Sequence, residues 1–268
     1  MIALNLRPAI TAVGPLAERM EASGISVGMI GLQTTAPLAL FGVVGFFVGA
    51  IGNRIGFARA LGIGLLVLSA GCFLRSWQFT GTSFELVFGS VLIGAGIAAG
   101  NVLLPGVVKR RYPTRVGLMT SLYSTAINLG AALGIALAVP LADALEGGWN
   151  GSLRVWGFVA LVPLLAWLPE MLRKPSARSG SDSFHTMRKL AGDRRAWQVT
   201  GMMGLQSLLF YSSAAWLPTV LQERGMSEAQ AYGWPAAMQV CGCVASLAIP
   251  TLAGRAPSQS GWAAACGV

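Results

Sequence analysis

Apolar residues run along this chain in long unbroken blocks, not in the short alternation of a half-buried strand or a water-facing helix. Five stretches carry no Asp, Glu, Lys or Arg: Ala22 to Asn53, Leu86 to Val108, Val116 to Ala142, Ala196 to Gln222 and Ala229 to Gly254. Each exceeds the roughly 20 residues that a helix needs to cross about 30 Å of hydrocarbon. Two shorter runs, Ala60 to Leu74 and Val155 to Pro169, reach that length if Arg59, Arg75 and Arg154 lie along the helix and lift their charges to the interface. Ile2 to Ala17 is apolar except for Arg7 and stops at Glu18, the pattern of the outer part of a helix whose beginning is absent. The segment after Arg255 is too short to cross. The pattern predicts an all-α polytopic membrane protein with seven full spans and one incomplete one.

Composition sharpens the class. Hydrophobic residues make up 54% of the 268 positions and charged residues 11%, too few charges to cover a water-soluble fold of this size. The formal charge is +9, which in a soluble domain would suggest nucleic acid. The placement of the charges argues for topology instead. Alternate connections hold Arg54 and Arg59, then Lys109, Arg110, Arg111 and Arg115, then Arg173, Lys174, Arg178, Arg188, Lys189, Arg194 and Arg195, and finally Arg255. The opposite connections hold Arg19, Arg75, Arg154 and Arg224 with most of the acids: Glu18, Glu21, Glu85, Asp143, Glu146, Glu223 and Glu228. Lys and Arg are retained in the cytoplasm during insertion, so the first partial span runs from inside to outside of the inner (plasma) membrane.

The polar stretch 173–195 divides the chain and is expected to be a cytoplasmic linker. It separates a six-helix bundle, 1–172, from the first two helices of a second bundle, 196–255, followed by a truncated tail, 256–268. A duplication fits this division. Gly24-Ile25-Ser26 matches Gly225-Met226-Ser227, and the same offset of 201 brings Arg54 onto Arg255. Gly14-Pro15-Leu16 resembles Leu217-Pro218-Thr219, which sets Arg7 opposite Phe210.

Between the second and third spans stands Gly49-Ala50-Ile51-Gly52-Asn53-Arg54-Ile55-Gly56-Phe57-Ala58-Arg59. It resembles the conformational loop signature of the major facilitator superfamily, through Gly49, Asn53, Arg54, Gly56 and Arg59. Asn53 stands where that signature has Asp, and one trailing basic residue is present instead of two. Within the superfamily, four segments resemble the cyanate and 2-nitroimidazole transporter (CynX/NimT) family. They are Leu4-Asn5-Leu6-Arg7-Pro8-Ala9-Ile10-Thr11; Gly100-Asn101-Val102-Leu103-Leu104-Pro105 with Lys109-Arg110-Arg111-Tyr112-Pro113; Gly117 to Ser124; and Gly204 to Tyr211. Members of the superfamily usually have twelve spans, so the resemblance implies a fragment lacking the start of the first helix and the last four. It also implies cyanate-like or nitroaromatic substrates.

Arg7 carries the sharpest chemistry independently of that resemblance. It lies eleven residues before Glu18, roughly 16 Å deep at 1.5 Å per residue. A guanidinium at that depth should face a cavity or a partner, and none of the full spans contains Asp or Glu to neutralise it. A substrate anion or electron-rich group would suit its fork of donors. The competing reading is that Arg7 snorkels, or pairs with carbonyls or an absent helix. Asn5 and Pro8 flank it, and Pro8 removes a helical hydrogen bond and biases residue 7 away from helical geometry. That predicts either an opened backbone or an ordinary kink.

The opposing wall is expected from Gln206, Phe210 and Ser213, which share a helix face, and from Tyr211 at almost the depth of Arg7. A ring beside a cation, with an amide one turn below, would suit a small planar solute. Trp216, nearer the boundary, reads as an interfacial anchor. Asn101, Tyr123, Ser124 and Asn128 are further intramembrane polar candidates, either for solute or for joining helices. Gly94, Gly96, Gly100, Gly130 and Gly134 are expected to let helices approach closely.

No enzyme is expected. The single histidine, His185, falls in the polar linker, and Cys241 and Cys243 lack further ligands at metal spacing. No phosphate-binding loop, metal site or cofactor site is read. The expectation is a monomeric secondary carrier for a small anionic or polar planar solute, with the lipid bilayer as surroundings and protons as a candidate co-substrate. The alternative is a truncated, non-transporting membrane remnant or interaction partner.

Overall fold

The computed structural model describes residues 1–77, 83–173 and 192–253, and among these every regular element is a helix. The first segment is not one helix. A 3-10 turn at Ala3–Asn5, the short helix α1 (Pro8–Thr11), a second 3-10 turn at Gly14–Leu16 and α2 (Ala17–Ala22) follow one another. Pro8 and Pro15 each stand at the start of a new piece, where their missing N–H interrupts the hydrogen-bond ladder. The expected outer part of a helix is thus a chain of helical turns.

Seven long helices follow: α3 (Val27–Ile55), α4 (Phe57–Trp77), α5 (Ser83–Arg111), α6 (Val116–Ala144), α7 (Trp149–Leu172), α8 (Arg194–Glu223) and α9 (Glu228–Ala253). Apolar runs of this length fold as helices in hydrocarbon because every backbone donor must be satisfied within its own segment. By length and composition six of these helices can cross a membrane, where the sequence predicted seven. The helix that falls short is α8, whose apolar run is interrupted by Gln198, Thr200, Gln206, Ser207, Ser212 and Ser213. The Ser26 hydroxyl caps α3 by accepting from the Met29 N–H at 3.4 Å. The Asp193 carboxylate accepts from the Arg195 N–H at 2.9 Å at the start of α8. Residues 174–191, with His185, and 254–268, with Arg255, lie outside the described residues.

Helix α5 packs along α4 and α3, α7 along α4, and α6 along α9. The first segment sits at their centre. Ala9 and Ile10 join Leu68, Cys72, Ile93, Ile97 and Ala160 in one buried cluster. Ala12, Val13 and Leu16 join Ile30, Leu86, Ala138, Leu153 and Trp156 in another. Small residues make this central seat possible. A Cβ on Gly130 would collide with the Leu4 carbonyl, one on Gly134 with Pro8, and one on Gly100 with the Leu6 side chain. On the lipid-sized perimeter, Val43, Phe47, Leu66, Phe158 and Leu165 are exposed, the reverse of a soluble fold.

One end of the bundle is acidic and the other basic. At the acidic end Arg19 pairs with Asp143 at 2.6 Å. At the basic end Glu170 takes Arg111 at 2.6 Å and Arg173 at 2.9 Å.

Candidate functional site

Arg7 sits at the break between the first 3-10 turn and α1. Its carbonyl accepts from the N–H groups of Ile10 and Thr11 at 3.0 and 3.1 Å and from the Thr11 hydroxyl at 3.2 Å. The Thr11 hydroxyl also lies 3.2 Å from the Ala131 carbonyl, tying this turn to α6. Residue 7 keeps right-handed helical angles, φ −117° and ψ −32°, contrary to the expected bias. Pro8 therefore interrupts the segment by withholding its donor, not by extending the residue before it.

The Arg7 guanidinium lies over the Phe210 ring, 4.2 Å from its centroid. That pairing joins residues 203 positions apart, on the first segment and α8. A cation over a ring face at this distance is attracted by the ring quadrupole, and both groups remain half-buried.

The other candidates divide. Asn101 is level with the pair, because its neighbour Gly100 meets Leu6, but its amide donates to the Ile97 carbonyl at 3.2 Å on its own helix. Asn5 is buried, and its amide donates to the Met1 carbonyl at 3.1 Å. Gln206 lies one turn from Phe210 on α8 and is exposed. Tyr123 is half-buried on α6, about 10 Å along the helix from Gly130 and so displaced toward the basic end. Tyr211 is on α8, its side chain outside the described ones. Asn128 joins helices: its amide donates to Ser246 Oγ at 2.7 Å and lies 3.3 Å from the Gly242 carbonyl of α9.

Sequence reasoning missed the polar groups buried near the acidic end. Arg75 does not rise to the interface. It is 0% exposed inside α4, and its Nη2 donates to the Ala9 carbonyl at 2.6 Å. Glu85, assigned to a connection, is buried in the first turn of α5, and Gln33 is buried in α3. The signal in the sequence was weak, since Arg75 and Glu85 bound adjacent apolar runs and look like ordinary flanking charges. Arg59 behaves as a flanking charge should, whereas Arg154 is half-buried, its Nη2 3.5 Å from the Ser76 carbonyl and its Nε buried without a partner among the described residues. Arg59 is exposed and donates to the Met171 carbonyl at 3.1 Å, and Arg154 lies 5.4 Å from the Trp77 ring.

The loop motif lies at the basic end between α3 and α4. Gly56 has φ +94°, a conformation that favours glycine, and its N–H returns to the Gly52 carbonyl at 3.0 Å to close α3. Gly52 lies against Leu103 and Phe57, so a Cβ there would come within 2.8 Å of the Phe57 ring. A Cβ on Gly49 would meet nothing within 4 Å. Arg110 covers Phe57 at 4.3 Å and Trp167 donates to the Ala58 carbonyl at 2.9 Å, so α5 and α7 both clamp the loop. Asn53 is half-buried and Arg54 is exposed.

Comparison with known proteins sets this arrangement in context. A family profile described as Major Facilitator Superfamily matches residues 4–268. The chain is 42% identical to the uncharacterized transporter YycB of Bacillus subtilis, covering 98% of this chain and 65% of that protein. It is 37% identical to the 2-nitroimidazole transporter of Escherichia coli, covering 98% and 66% respectively. It is 30% identical to the cyanate transport protein CynX of Escherichia coli, covering 94% and 65%. The chain therefore spans just under two thirds of the length of these relatives. The crystal structure of a D-xylose-proton symporter superposes with a TM-score of 0.67 over 95% of this chain and 67% of that one, at 16% identity, which is a likeness of fold.

Proposed function

The chain belongs to the major facilitator superfamily and, within it, to the cyanate and 2-nitroimidazole transporter family, and on that premise we propose that it moves a small anionic or polar planar solute across the inner membrane by alternating access. The observation that carries this reading is the Arg7 guanidinium over the Phe210 ring, between the first segment and α8. A planar anion or nitroaromatic would take hydrogen bonds from the guanidinium edge and stack beside the ring. Asn101, Tyr123, Gln206 and Tyr211 complete the proposed surroundings, and Asn5 supports the turn that carries Arg7. The loop from Gly49 to Arg59 serves the conformational change, its clamps on α5 and α7 moving with the basic end. Residues 1–172 form one bundle, 196–255 begin a second, and the basic linker between them lies in the cytoplasm, in line with the distribution of Lys and Arg. The carrier works as a monomer, with protons as candidate co-substrate.

The test is uptake of labelled 2-nitroimidazole, cyanate and other small anions into vesicles containing the complete gene product, with and without a pH gradient. Saturable transport of one of these is expected. Arg7→Ala should cut it by at least about tenfold at unchanged membrane expression, the worth of a lost hydrogen bond to a charged group. Unchanged transport in that variant would remove Arg7 from the site.

A further inference from the structure

Arg75 is the largest fully buried side chain near the acidic end of the bundle, and its position is built by close helix contact. Helix α5 offers Gly89 where α4 carries Arg75, so closely that a Cβ on Gly89 would stand 2.8 Å from the Arg75 backbone nitrogen. The guanidinium then reaches the first segment, where Nη2 donates to the Ala9 carbonyl at 2.6 Å. That carbonyl is available because the segment is broken. In a continuous helix it would accept from the Val13 N–H, but Val13 donates to the Ile10 carbonyl at 3.2 Å, and Ala12 donates to Pro8 at 3.0 Å. Ala9 packs in a cluster with Ile10, Leu68, Cys72 and Ile93, whose side chains offer no donor stronger than the Cys72 thiol.

An orphaned carbonyl in such surroundings is costly, and a charged donor satisfies it with one of the stronger hydrogen bonds available. The Nε and Nη1 groups of Arg75 have no hydrogen-bond partner among the described residues, so the contact with Ala9 is what orients the guanidinium. Ala9 follows Arg7 by two residues, with Pro8 between them. We propose that Arg75 is a positioning residue: by capping the Ala9 carbonyl it stabilises the broken form of the first segment and so holds Arg7 over Phe210. The inference rests on the reading of Arg7 and Phe210 as the solute site, but concerns a residue that does not touch solute.

Two measurements test it in the complete gene product. In the first, Arg7→Cys and Phe210→Cys are combined in a background with the native cysteines replaced by alanine, and the rate of cross-linking by a short dithiol reagent is followed in membranes. Arg75→Gln should slow cross-linking by about tenfold and Arg75→Lys by less, because a lysine can still cap a carbonyl. Equal rates with Arg, Lys and Gln at position 75 would overturn the inference. If Arg75→Gln does not reach the membrane, the comparison of Arg with Lys carries the same two outcomes. In the second, Arg75→Lys in the otherwise native protein should raise the half-saturation concentration for 2-nitroimidazole or cyanate and spare the maximal rate. Loss of maximal rate at unchanged half-saturation would point to a purely structural arginine and overturn the inference. Cross-linking that depends on Arg75 while no variant carries either solute would strike down the solute assignment and leave the positioning role standing.

Discussion

A guanidinium at the centre of a bilayer, the depth the sequence gives Arg7, costs roughly 2.5 to 3.5 kcal/mol on insertion scales, while Arg75 is buried in the last turn of α4, and the two are accommodated in different ways. Arg75 is enclosed and donates to a carbonyl that the broken first segment has left without its usual partner. Arg7 keeps a half-buried head against an aromatic face. Phe210 is then the residue that tunes Arg7. Phe210→Leu preserves apolar bulk but removes the ring quadrupole, a loss of about 1 kcal/mol. That converts to about a fivefold rise in half-saturation concentration for the carried solute, read from initial uptake rates. Transport indifferent to this substitution would assign Phe210 to packing.

At the scale of elements, the first segment is decided by what it lacks and by what its neighbours lack. Pro8 and Pro15 withhold backbone donors, and α5 and α6 withhold side chains at Gly100, Gly130 and Gly134, so the broken backbone can be surrounded closely. Gly134→Leu would press its Cβ to within 2.8 Å of Pro8 Cα and should destabilise the protein by about 1 to 3 kcal/mol, measured as a lowered thermal transition in detergent. Gly28→Ala is the opposite case. Position 28 lies inside α3 with nothing within 4 Å of an added Cβ, so helix propensity should leave the transition unchanged or raised by up to about 1 kcal/mol. Equal effects from the two substitutions would contradict the central seating of the first segment.

At the scale of the whole molecule, α6 and α9 form a seam between the early helices and the last described pair. Asn128 bonds Ser246 and Gly242 across it, and the Thr125 hydroxyl lies 3.4 Å from the Cys243 carbonyl. Interhelical hydrogen bonds in membranes average about 0.6 kcal/mol, so Asn128→Leu removes about 1 kcal/mol from whichever state this seam represents. The expected outcome is about a fivefold change in maximal transport rate with little change in half-saturation, and an unaltered rate would make Asn128 simple glue. The spans themselves were legible from the sequence because uncharged runs of this length have few backbone solutions other than helix in hydrocarbon. The family was legible in short local motifs, and the match of Pro15 to Pro218 already set Arg7 opposite Phe210. The weaker apolar character of α8 was hidden by counting only charges, since its interruptions are Gln, Ser and Thr. Burial of Arg75 and Glu85 could not be read, because a flanking charge looks the same in sequence whether it turns to the interface or inward, and Gln33, uncharged within a span, escaped a count of charges alone. Only the packing of α4 on α5 through Gly71 and Gly89, and the carbonyl that the broken first segment leaves free, set the direction for Arg75. Length and polarity along the chain determine what must be a helix, and the direction of each buried polar side chain follows from which neighbour has an unmet donor or acceptor, a fact that exists only once the helices are assembled.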